Sequence, residues 1–259
     1  MKVVIIGSGN VATVLGKKIL AAGHEILQVM SPNLAHARTL GDILFCEVTN
    51  DFNNVHAGGE LYLFALSDFA LEGIHEKISL FHSLAVHTAG SVSKSVFKKV
   101  STNYGVLYPL QSLRANTEIL PEIPFLIDGN NPESLLQIQT FAHTISDRVE
   151  HADDLQRLKL HVAAVISSNF ANHLYALAEE FCEAEKVDFN LLHPLILETA
   201  SRVTDYSPKT LQTGPAIRND VPTMRKHSKL LKPYPVLRRI YNQISESIHD
   251  FYKSNPNSY

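Results

Sequence analysis

One short stretch near the start of the chain constrains the possible folds more than any other. Residues 3–6 are four consecutive apolar residues, which is typical of a strand covered on both faces in a parallel sheet. A Gly7-Ser8-Gly9 turn follows, and from Asn10 onward apolar residues recur at three- and four-residue spacing. Strand, glycine turn and helix together form the first half of a dinucleotide-binding unit.

The residues of this turn are assigned to the phosphates of a dinucleotide. Gly7 permits the tight turn, Gly9 lets a pyrophosphate approach the backbone, and Ala12 keeps the helix close to the strand. Free N–H groups at the positive end of the helix bind phosphate. The alternative is a glycine turn without a ligand, but its place between a strand and a helix argues for the ligand. The predicted cofactor contacts here are Gly7, Ser8, Gly9, Asn10 and Val11.

Composition narrows the class of protein. A chain of 259 residues suits two domains, and a net charge of −3 gives no electrostatic basis for binding nucleic acid. Cys46 and Cys182 are too few and too far apart for a disulfide framework or a zinc site, so we expect a cytoplasmic protein without a metal. Residues 160–178 lack Asp, Glu, Lys and Arg, but their histidines and asparagines indicate a buried helix rather than a membrane span.

Strands and helices alternate over residues 1–152, which is typical of a doubly wound sheet. After residues 3–6, we predict strands over 24–30, 43–48, 61–66, 84–87, 104–108, 124–127 and 149–150. This alternation predicts an α/β fold in which residues 1–152 form a mainly parallel Rossmann-type sheet that binds a dinucleotide.

The end of the second predicted strand bears on the choice of cofactor. In NAD-binding folds an acidic residue at this place usually binds the adenosine ribose. Here the chain has Met30-Ser31-Pro32-Asn33, without a carboxylate. Ser31 and the nearby Arg38 suit a 2′-phosphate, although a solvated helix residue is the alternative for Arg38. The prediction is therefore NADP(H) in preference to NAD(H).

Three further segments end at the carboxyl edge of the predicted sheet, where open α/β sheets bind ligands. Leu66 and Ser67 end the fourth strand and are predicted to contact the cofactor. His87 ends the fifth strand and is predicted to lie near the nicotinamide, as a cofactor-binding or catalytic residue, with capping of the next helix as an equal alternative. Gln111 follows the sixth strand and is assigned to the substrate.

The second half of the chain is helical. After Asp153-Asp154, apolar residues keep helical spacing to about Ala184, a helix on the order of 45 Å long. They exceed one stripe, so this helix should be buried on several sides, partly by a second subunit. We predict an all-α domain at residues 153–259 that binds substrate, and a homodimer formed through it.

One face of the long helix is polar. At about 100° per residue, His161, Ser168 and Asn172 lie within about 20° of one line, and Asn169 lies about 80° away. Buried histidines and asparagines often satisfy one another, which is the structural alternative. The functional interpretation is that His161 transfers a proton, Asn169 is a second catalytic candidate, and Ser168 and Asn172 contact the substrate.

The loop at residues 213–220 contains Gly214-Pro215 and precedes another helix. Asp220 is predicted to cap that helix. Arg218 has no obvious local partner and lies on a constrained loop, so it is a candidate for clamping an anionic group of the substrate.

Several stretches together resemble a known family: GSGNVA, HTAGSVSKSVF, the Tyr108-Pro109-Leu110-Gln111 step, LKLHVAA with SNF on the long helix, and GPAIRND. The chain resembles Rossmann-like oxidoreductases that carry an uncharacterised helical C-terminal domain. These are similar to pyrroline carboxylate reductases and, more distantly, to ketopantoate reductases and β-hydroxyacid dehydrogenases. The resemblance covers nearly the whole chain and implies a dinucleotide-binding oxidoreductase, usually without an assigned substrate.

The chain departs from the pattern of these relatives at two places. β-Hydroxyacid dehydrogenases have a catalytic lysine four residues before an asparagine, and counting back from Asn169 gives Val165. Family members commonly have His-Pro where this chain has Tyr108-Pro109. We predict an NADP(H)-dependent oxidoreductase acting on a small anionic metabolite of keto, imino or hydroxy acid type. The alternative is a non-catalytic dinucleotide-binding sensor or scaffold.

Overall fold

The computed structural model describes residues 1–117 and 119–254. The strands are β1 (Lys2–Ile6), β2 (Glu25–Met30), β3 (Glu47–Thr49), β4 (Leu61–Phe64), β5 (Leu84–His87), β6 (Tyr104–Pro109), β7 (Phe125–Gly129) and β8 (Val149–His151). The α-helices are α1 (Asn10–Ala21), α2 (Leu34–Leu44), α3 (Asp68–Glu72), α4 (Pro132–Ile145), α5 (Asp154–Ala164), α6 (Ala171–Ala184), α7 (His193–Asp205), α8 (Val221–Leu230) and α9 (Pro235–Lys253).

The eight strands form one sheet in the order β3-β2-β1-β4-β5-β6-β7-β8. Neighbouring strands run parallel except β6 and β7, which are antiparallel. The strands that follow β1 in sequence are added first on one side of it and then, from β4, on the other. Ligands bind at such a switch point in open α/β sheets. The predicted α/β class, a doubly wound and mainly parallel sheet followed by a helical region, is confirmed.

Hydrophobic layers cover both faces of the sheet. In β1, Val3 and Ile5 pack on the side of α1, α2 and α4, whereas Val4 and Ile6 pack on the opposite side. All four side chains are fully buried, as the uninterrupted apolar run predicted. Each contributes about 1.5–3 kcal/mol relative to an exposed side chain, so β1 anchors the glycine turn that follows it.

Several predicted strand boundaries differ from the structure; β4, predicted over residues 61–66, ends at Phe64. The third strand was predicted over residues 43–48, but α2 extends to Leu44 and β3 begins only at Glu47. Phe45, in the left-handed conformation with φ of 53°, ends the helix between them. A short apolar run does not distinguish a helix end from a strand. The seventh strand was predicted to end at residue 127, but Asp128 and Gly129 continue β7 and pair with β6.

The long helix is not a uniform α-helix. Between α5 and α6 lies a π-helical segment, Val165–Phe170. The i→i+5 pattern of a π-helix changes the angle between successive residues. The single helical line predicted through His161, Ser168 and Asn172 therefore does not apply beyond Val165. Such π-helical segments occur frequently at functional sites.

By its internal contacts the chain divides into two compact units, Met1–Phe170 and Ala171–Tyr259. The first contains the whole sheet, α5 and the π-helical segment, and the second contains α6 to α9. The predicted domain division after residue 152 stays a prediction, and residues 255–259 of the predicted helical domain lie outside the described residues. Among the described residues of the second unit, the buried hydrophobic ones are Cys182, Ala216, Leu231 and Tyr252.

The described residues contain neither a helix that could cross a membrane nor a metal-binding cluster. None of their helices combines the length and hydropathy that a membrane span requires. Nor do these residues contain a cluster of three His, Cys, Asp or Glu side chains that could hold a metal ion.

Candidate active site

The two glycines of the first turn differ in what the fold requires of them. Gly7 has φ of +122°, and a Cβ added there would lie 2.2 Å from the carbonyl oxygen of Ala65. Gly9 has φ of −82°, and no described atom lies within 4 Å of an added Cβ. The fold therefore needs glycine at position 7, whereas glycine at position 9 leaves open space beside the start of α1.

This open space belongs to a hollow of about 530 Å³ beside the start of α1. Gly9, the residue preceding α1, makes no capping hydrogen bond with a side chain, so N–H groups of the first turn remain available to a ligand. The residues present fit the phosphate part of a dinucleotide. The hollow is lined by Ser8, Gly9, Asn10, Thr13, His36, Thr39, Leu40, Ile43, Ala115 and Asn116.

Four other predicted cofactor residues have definite places. The buried Ser31 hydroxyl accepts a hydrogen bond of 2.8 Å from Ser8 Oγ, which ties the end of β2 to the glycine turn. Arg38 is exposed on α2 and is not among the residues that line the hollow. Ser67 caps α3 by accepting a hydrogen bond from the Ala70 N–H, and Leu66 packs against the core beneath it.

A second cavity, of about 520 Å³, contains most of the predicted catalytic and substrate residues. It is lined by Val11, Thr88, Tyr108, Pro109, Leu110, Gln111, Ser112, Leu160, His161, Ala163, Ala164, Val165, Ser167, Ser168 and Asn169. The fold thus brings four of the predicted residues into one cavity, His161, Asn169, Gln111 and Ser168. Val11, from the start of α1, lines the same cavity. Asn172 and Arg218 belong to the second unit, where Arg218 is exposed. In the same unit, Asp220 caps α8 as predicted, because its carboxylate accepts a hydrogen bond from the Thr223 N–H.

Within this cavity, Tyr108 and His161 form a pair. The Tyr108 hydroxyl lies 2.9 Å from His161 Nδ1, and the two rings meet edge to face. Burial raises the pKa of Tyr108, and the positive charge of Arg157 acts in the opposite direction. A Cβ added to Gly90 would lie 2.6 Å from His161 Nδ1, so the glycine of the HTAG sequence leaves the room that the imidazole occupies.

Of the two alternatives for His87, the structure favours capping. It is fully buried at the end of β5, where its ring packs against Phe97. Its Nδ1 accepts a hydrogen bond from the Ala89 N–H, so it caps the turn after the strand. Burial and the charge of Arg157 lower the pKa of His87 to about 3. Because His87 is fully buried and does not line the cavity, its ring has no access to a ligand there, which argues against a catalytic His87.

The start of α5 is bound to the loop that follows β5. Asp154 accepts hydrogen bonds from Ser93 Oγ at 2.5 Å and from the Lys94 N–H at 3.3 Å. Arg157 Nη2 donates to the Val92 carbonyl at 2.5 Å and to Asp154 Oδ1 at 2.8 Å. Hydrogen bonds to residues 92–94, within the HTAGSVSK sequence, therefore fix the start of α5, the helix that carries His161.

Sequence reasoning did not identify three of these residues as functional. Tyr108 was noted only as a departure from His-Pro, and Gly90 and Arg157 were given no role. A signal for Arg157 did exist, because it precedes His161 by four residues and so lies on the same helical face. No local signal could have paired Tyr108 with His161, since 53 residues separate them.

The sheet, the glycine turn and the hollow beside α1 define a Rossmann-type, dinucleotide-binding protein. A family model described as "NADP oxidoreductase coenzyme F420-dependent" matches residues 2–88. A second model, for a domain of unknown function (DUF2520), matches residues 123–248. The chain belongs to the family of NADP-dependent oxidoreductases in which this Rossmann-type domain is followed by a DUF2520 domain.

Solved structures support this membership. A protein from Bacteroides fragilis assigned as an NADP oxidoreductase is 39% identical, with a TM-score of 0.91, and the match covers 96% of this chain and 98% of that one. A Thermotoga maritima protein is 20% identical, with a TM-score of 0.78 over 96% of this chain and 98% of its own. A reductive aminase from Aspergillus terreus, in complex with NADPH and ethyl-5-oxohexanoate, is 16% identical, with a TM-score of 0.71 over 98% and 94%. The last two show a shared fold alone. No curated protein sequence matches the chain.

Proposed function

We propose that the protein is an NADP(H)-dependent reductase of a small metabolite with a C=O or C=N group, of the keto or imino acid type, or acts on a hydroxy acid in the reverse direction. The observation that carries this proposal is the Tyr108–His161 pair in the wall of a 520 Å³ cavity. Bound NADP(H) supplies or accepts the hydride. Reduction also needs a proton at the substrate oxygen or nitrogen, and the chain must deliver it.

The pair can deliver this proton as a relay. When the Tyr108 hydroxyl donates to His161 Nδ1, the ring hydrogen lies on Nε2, which makes no hydrogen bond to any described residue. His161 Nε2 then gives its proton to the substrate oxygen or nitrogen while Nδ1 takes the proton of Tyr108. The imidazole stays neutral, Tyr108 is left as a phenolate, and solvent returns the proton after turnover.

The remaining polar residues of the cavity would orient the substrate. Gln111, Ser168 and Asn169 present amide and hydroxyl groups on its wall, and we assign Asn169 to positioning beside His161. No lysine or arginine is among the described residues that line this cavity. For a substrate carboxylate, Arg218 remains the proposed partner and Asn172 a further polar contact, and both assignments stay predictions.

The substrate class can be tested by following NADPH oxidation. The compounds would be 2-keto acids, cyclic imino acids, the same rings without a carboxylate, and ketone–amine mixtures. Turnover of the carboxylate-bearing compounds is expected. Turnover restricted to uncharged imines would contradict the proposed binding of a substrate carboxylate by Arg218. The similarity in fold to a reductive aminase supports including the ketone–amine mixtures. NADPH binding without turnover on any compound would favour the sensor or scaffold.

We also propose that NADPH binds more tightly than NADH, by about tenfold or more, because no carboxylate directly follows β2 and the exposed Arg38 on α2 is the proposed partner of a 2′-phosphate. Calorimetric titration of both dinucleotides measures the ratio. Arg38→Met should weaken NADPH about tenfold and leave NADH unchanged. Lys99→Met removes an equally exposed charge from another surface and should change neither affinity. Equal affinities in the wild type would refute the preference.

The helical half supports a homodimer proposal. Not one residue of α7 is buried, although Leu195 and Leu197 are apolar and are 64% and 71% exposed. Short helices are marginal in water without tertiary packing. In α5 the one buried residue is Arg157 and in α6 it is Cys182. We infer that a second copy of the chain covers these helices, since symmetric dimers are the commonest soluble assemblies.

Light scattering at micromolar concentration should give about twice the 28.8 kDa mass of one chain. Replacing Leu195 and Leu197 together with lysine should lower the mass to that of a monomer or unfold the helical half. Gln139→Lys, at an exposed position of α4, is the matched control and should leave the dimer intact. A wild-type mass of one chain would rule out the dimer.

Two further assignments are also proposals. The scarcity of cysteine supports a cytoplasmic location. Residues 1–152 are the proposed cofactor domain, and residues 153–259 are the proposed substrate domain.

A further inference from the structure

We propose that Arg157 is a positioning residue whose buried charge stabilises the phenolate that Tyr108 becomes in the proton relay. The proposal rests on the proposed function, because it assigns Arg157 a part in the same proton transfer. The consequence is that the side chain does more than attach α5 to the loop after β5.

The guanidinium of Arg157 is an incompletely compensated buried charge. The residue is fully buried, yet Nε and Nη1 have no hydrogen-bond partner among the described residues, and Nη2 bonds the Val92 carbonyl and Asp154. The side chain of Asp154 is 39% exposed, so solvent weakens its compensating field. Arginine stays protonated in proteins, and a charge left partly unpaired in a low dielectric acts strongly on its surroundings.

Arg157 is also placed to act on the relay. It lies one turn before His161, on the same face of α5. Among the described residues, its charge acts on Asp154 of the same helix, on His87 of β5 and on Tyr108 of β6. His87 is neutral, and Asp68 of α3 acts on His87.

The effect on Tyr108 has a definite sign. Burial disfavours the phenolate and raises the pKa of Tyr108, while the Arg157 charge favours the phenolate and opposes this rise. Asp154, which partly neutralises Arg157, must then act in the reverse sense. Removing the positive charge of Arg157 should therefore raise the pKa of Tyr108, and removing the negative charge of Asp154 should lower it. A purely structural role for both residues gives no such opposition.

The test follows Tyr108 itself, so it does not depend on finding a substrate. The chain is labelled with ¹³Cζ-tyrosine, the Tyr108 resonance is assigned by its loss in Tyr108→Phe, and its ionisation is followed toward alkaline pH in the intact protein. Arg157→Met should move this ionisation to higher pH, and Asp154→Asn should move it to lower pH. In Arg157→Lys, which keeps the charge, Tyr108 should ionise at a pH between the values for Arg157→Met and the wild type.

Arg148→Met is the matched control. Arg148 is 69% exposed and pairs with Glu122, so its loss should not move the Tyr108 resonance. Shifts of Arg157→Met and Asp154→Asn in the same direction, or no shift in either, would overturn the proposal. Should Arg157→Met fail to fold, Asp154→Asn and Arg157→Lys still decide the sign.

Once a substrate is known, the kinetics give an independent result. Arg157→Met should lower kcat by about 10²-fold, the size of effect that a small misplacement of catalytic groups produces, with KM little changed. If Tyr108→Phe leaves turnover intact, the proposed relay fails even when the resonance shifts as expected. The two proposals can therefore fail separately.

Discussion

Replacing His161 with alanine should lower kcat of the reductase by about 10²–10⁴-fold, the usual range for a lost proton donor. The methyl group cannot pass a proton from the Tyr108 hydroxyl to the substrate. NADPH affinity should stay near that of the wild type, because the glycine turn is unchanged. Steady-state kinetics on the substrate found in the compound screen, with calorimetric titration of NADPH, measure both quantities.

Two further variants make this result specific. Tyr108→Phe keeps the ring that packs at the cavity but removes the hydroxyl, and its loss of turnover should be smaller than that of His161→Ala. His143→Ala removes an exposed histidine of α4 and should leave turnover at the wild-type level. Full activity of His161→Ala would place the proton donor elsewhere. Failure of His161→Ala to fold would instead support the structural alternative of a satisfied core histidine.

Gly7→Ala should destabilise the protein by about 2–6 kcal/mol. Holding a non-glycine residue in such a backbone conformation costs about 1–3 kcal/mol, and forcing the added Cβ against the Ala65 carbonyl costs about 1–3 kcal/mol more. The effect is large relative to the total stability of a typical domain. Urea unfolding followed by circular dichroism gives the free energy of unfolding for comparison with the wild type.

The same turn contains the contrasting variant. Gly9→Val should leave the free energy of unfolding within about 1 kcal/mol of the wild type, because no described atom lies within 4 Å of a Cβ added at this position. NADPH binding should nevertheless be lost, since the valine occupies the space where a pyrophosphate would approach α1. Unaltered binding in Gly9→Val would exclude the turn as the phosphate site. Equal destabilisation by both substitutions would show that the distinction between the two glycines is wrong.

The polar residues of the long helix show how far local patterns can be extended. Helical periodicity correctly placed α5 and α6, and His161, Ser168 and Asn169 line one cavity. The same periodicity placed Asn169 about 80° from the line of the others, because it assumed one uniform α-helix. The π-helical segment changes that angle, and a single sequence carries no clear signal for it.

Strand β5 shows a second limit of sequence patterns, which predict a strand but not the direction of each buried side chain. The strand was predicted with its observed ends, Leu84 and His87, because four apolar and aromatic residues were bounded by polar ones. The sequence did not determine the direction of the His87 side chain. Its ring faces Phe97 inside the core rather than the cavity. Which face of a fully buried strand meets a ligand depends on the layers packed against it, and a period of two cannot distinguish two buried faces.

What the sequence alone determined is the class of the fold and the place of the glycine turn. Buried parallel strands, helical periodicity and conformationally special residues such as Gly7 act through neighbouring residues, so their effects can be read from short segments. Tertiary structure alone decided the pairing of Tyr108 with His161, the room made by Gly90 and the buried charge of Arg157. These contacts join β5, β6 and α5 across long stretches of chain, and their geometry exists only once the sheet and helix have packed.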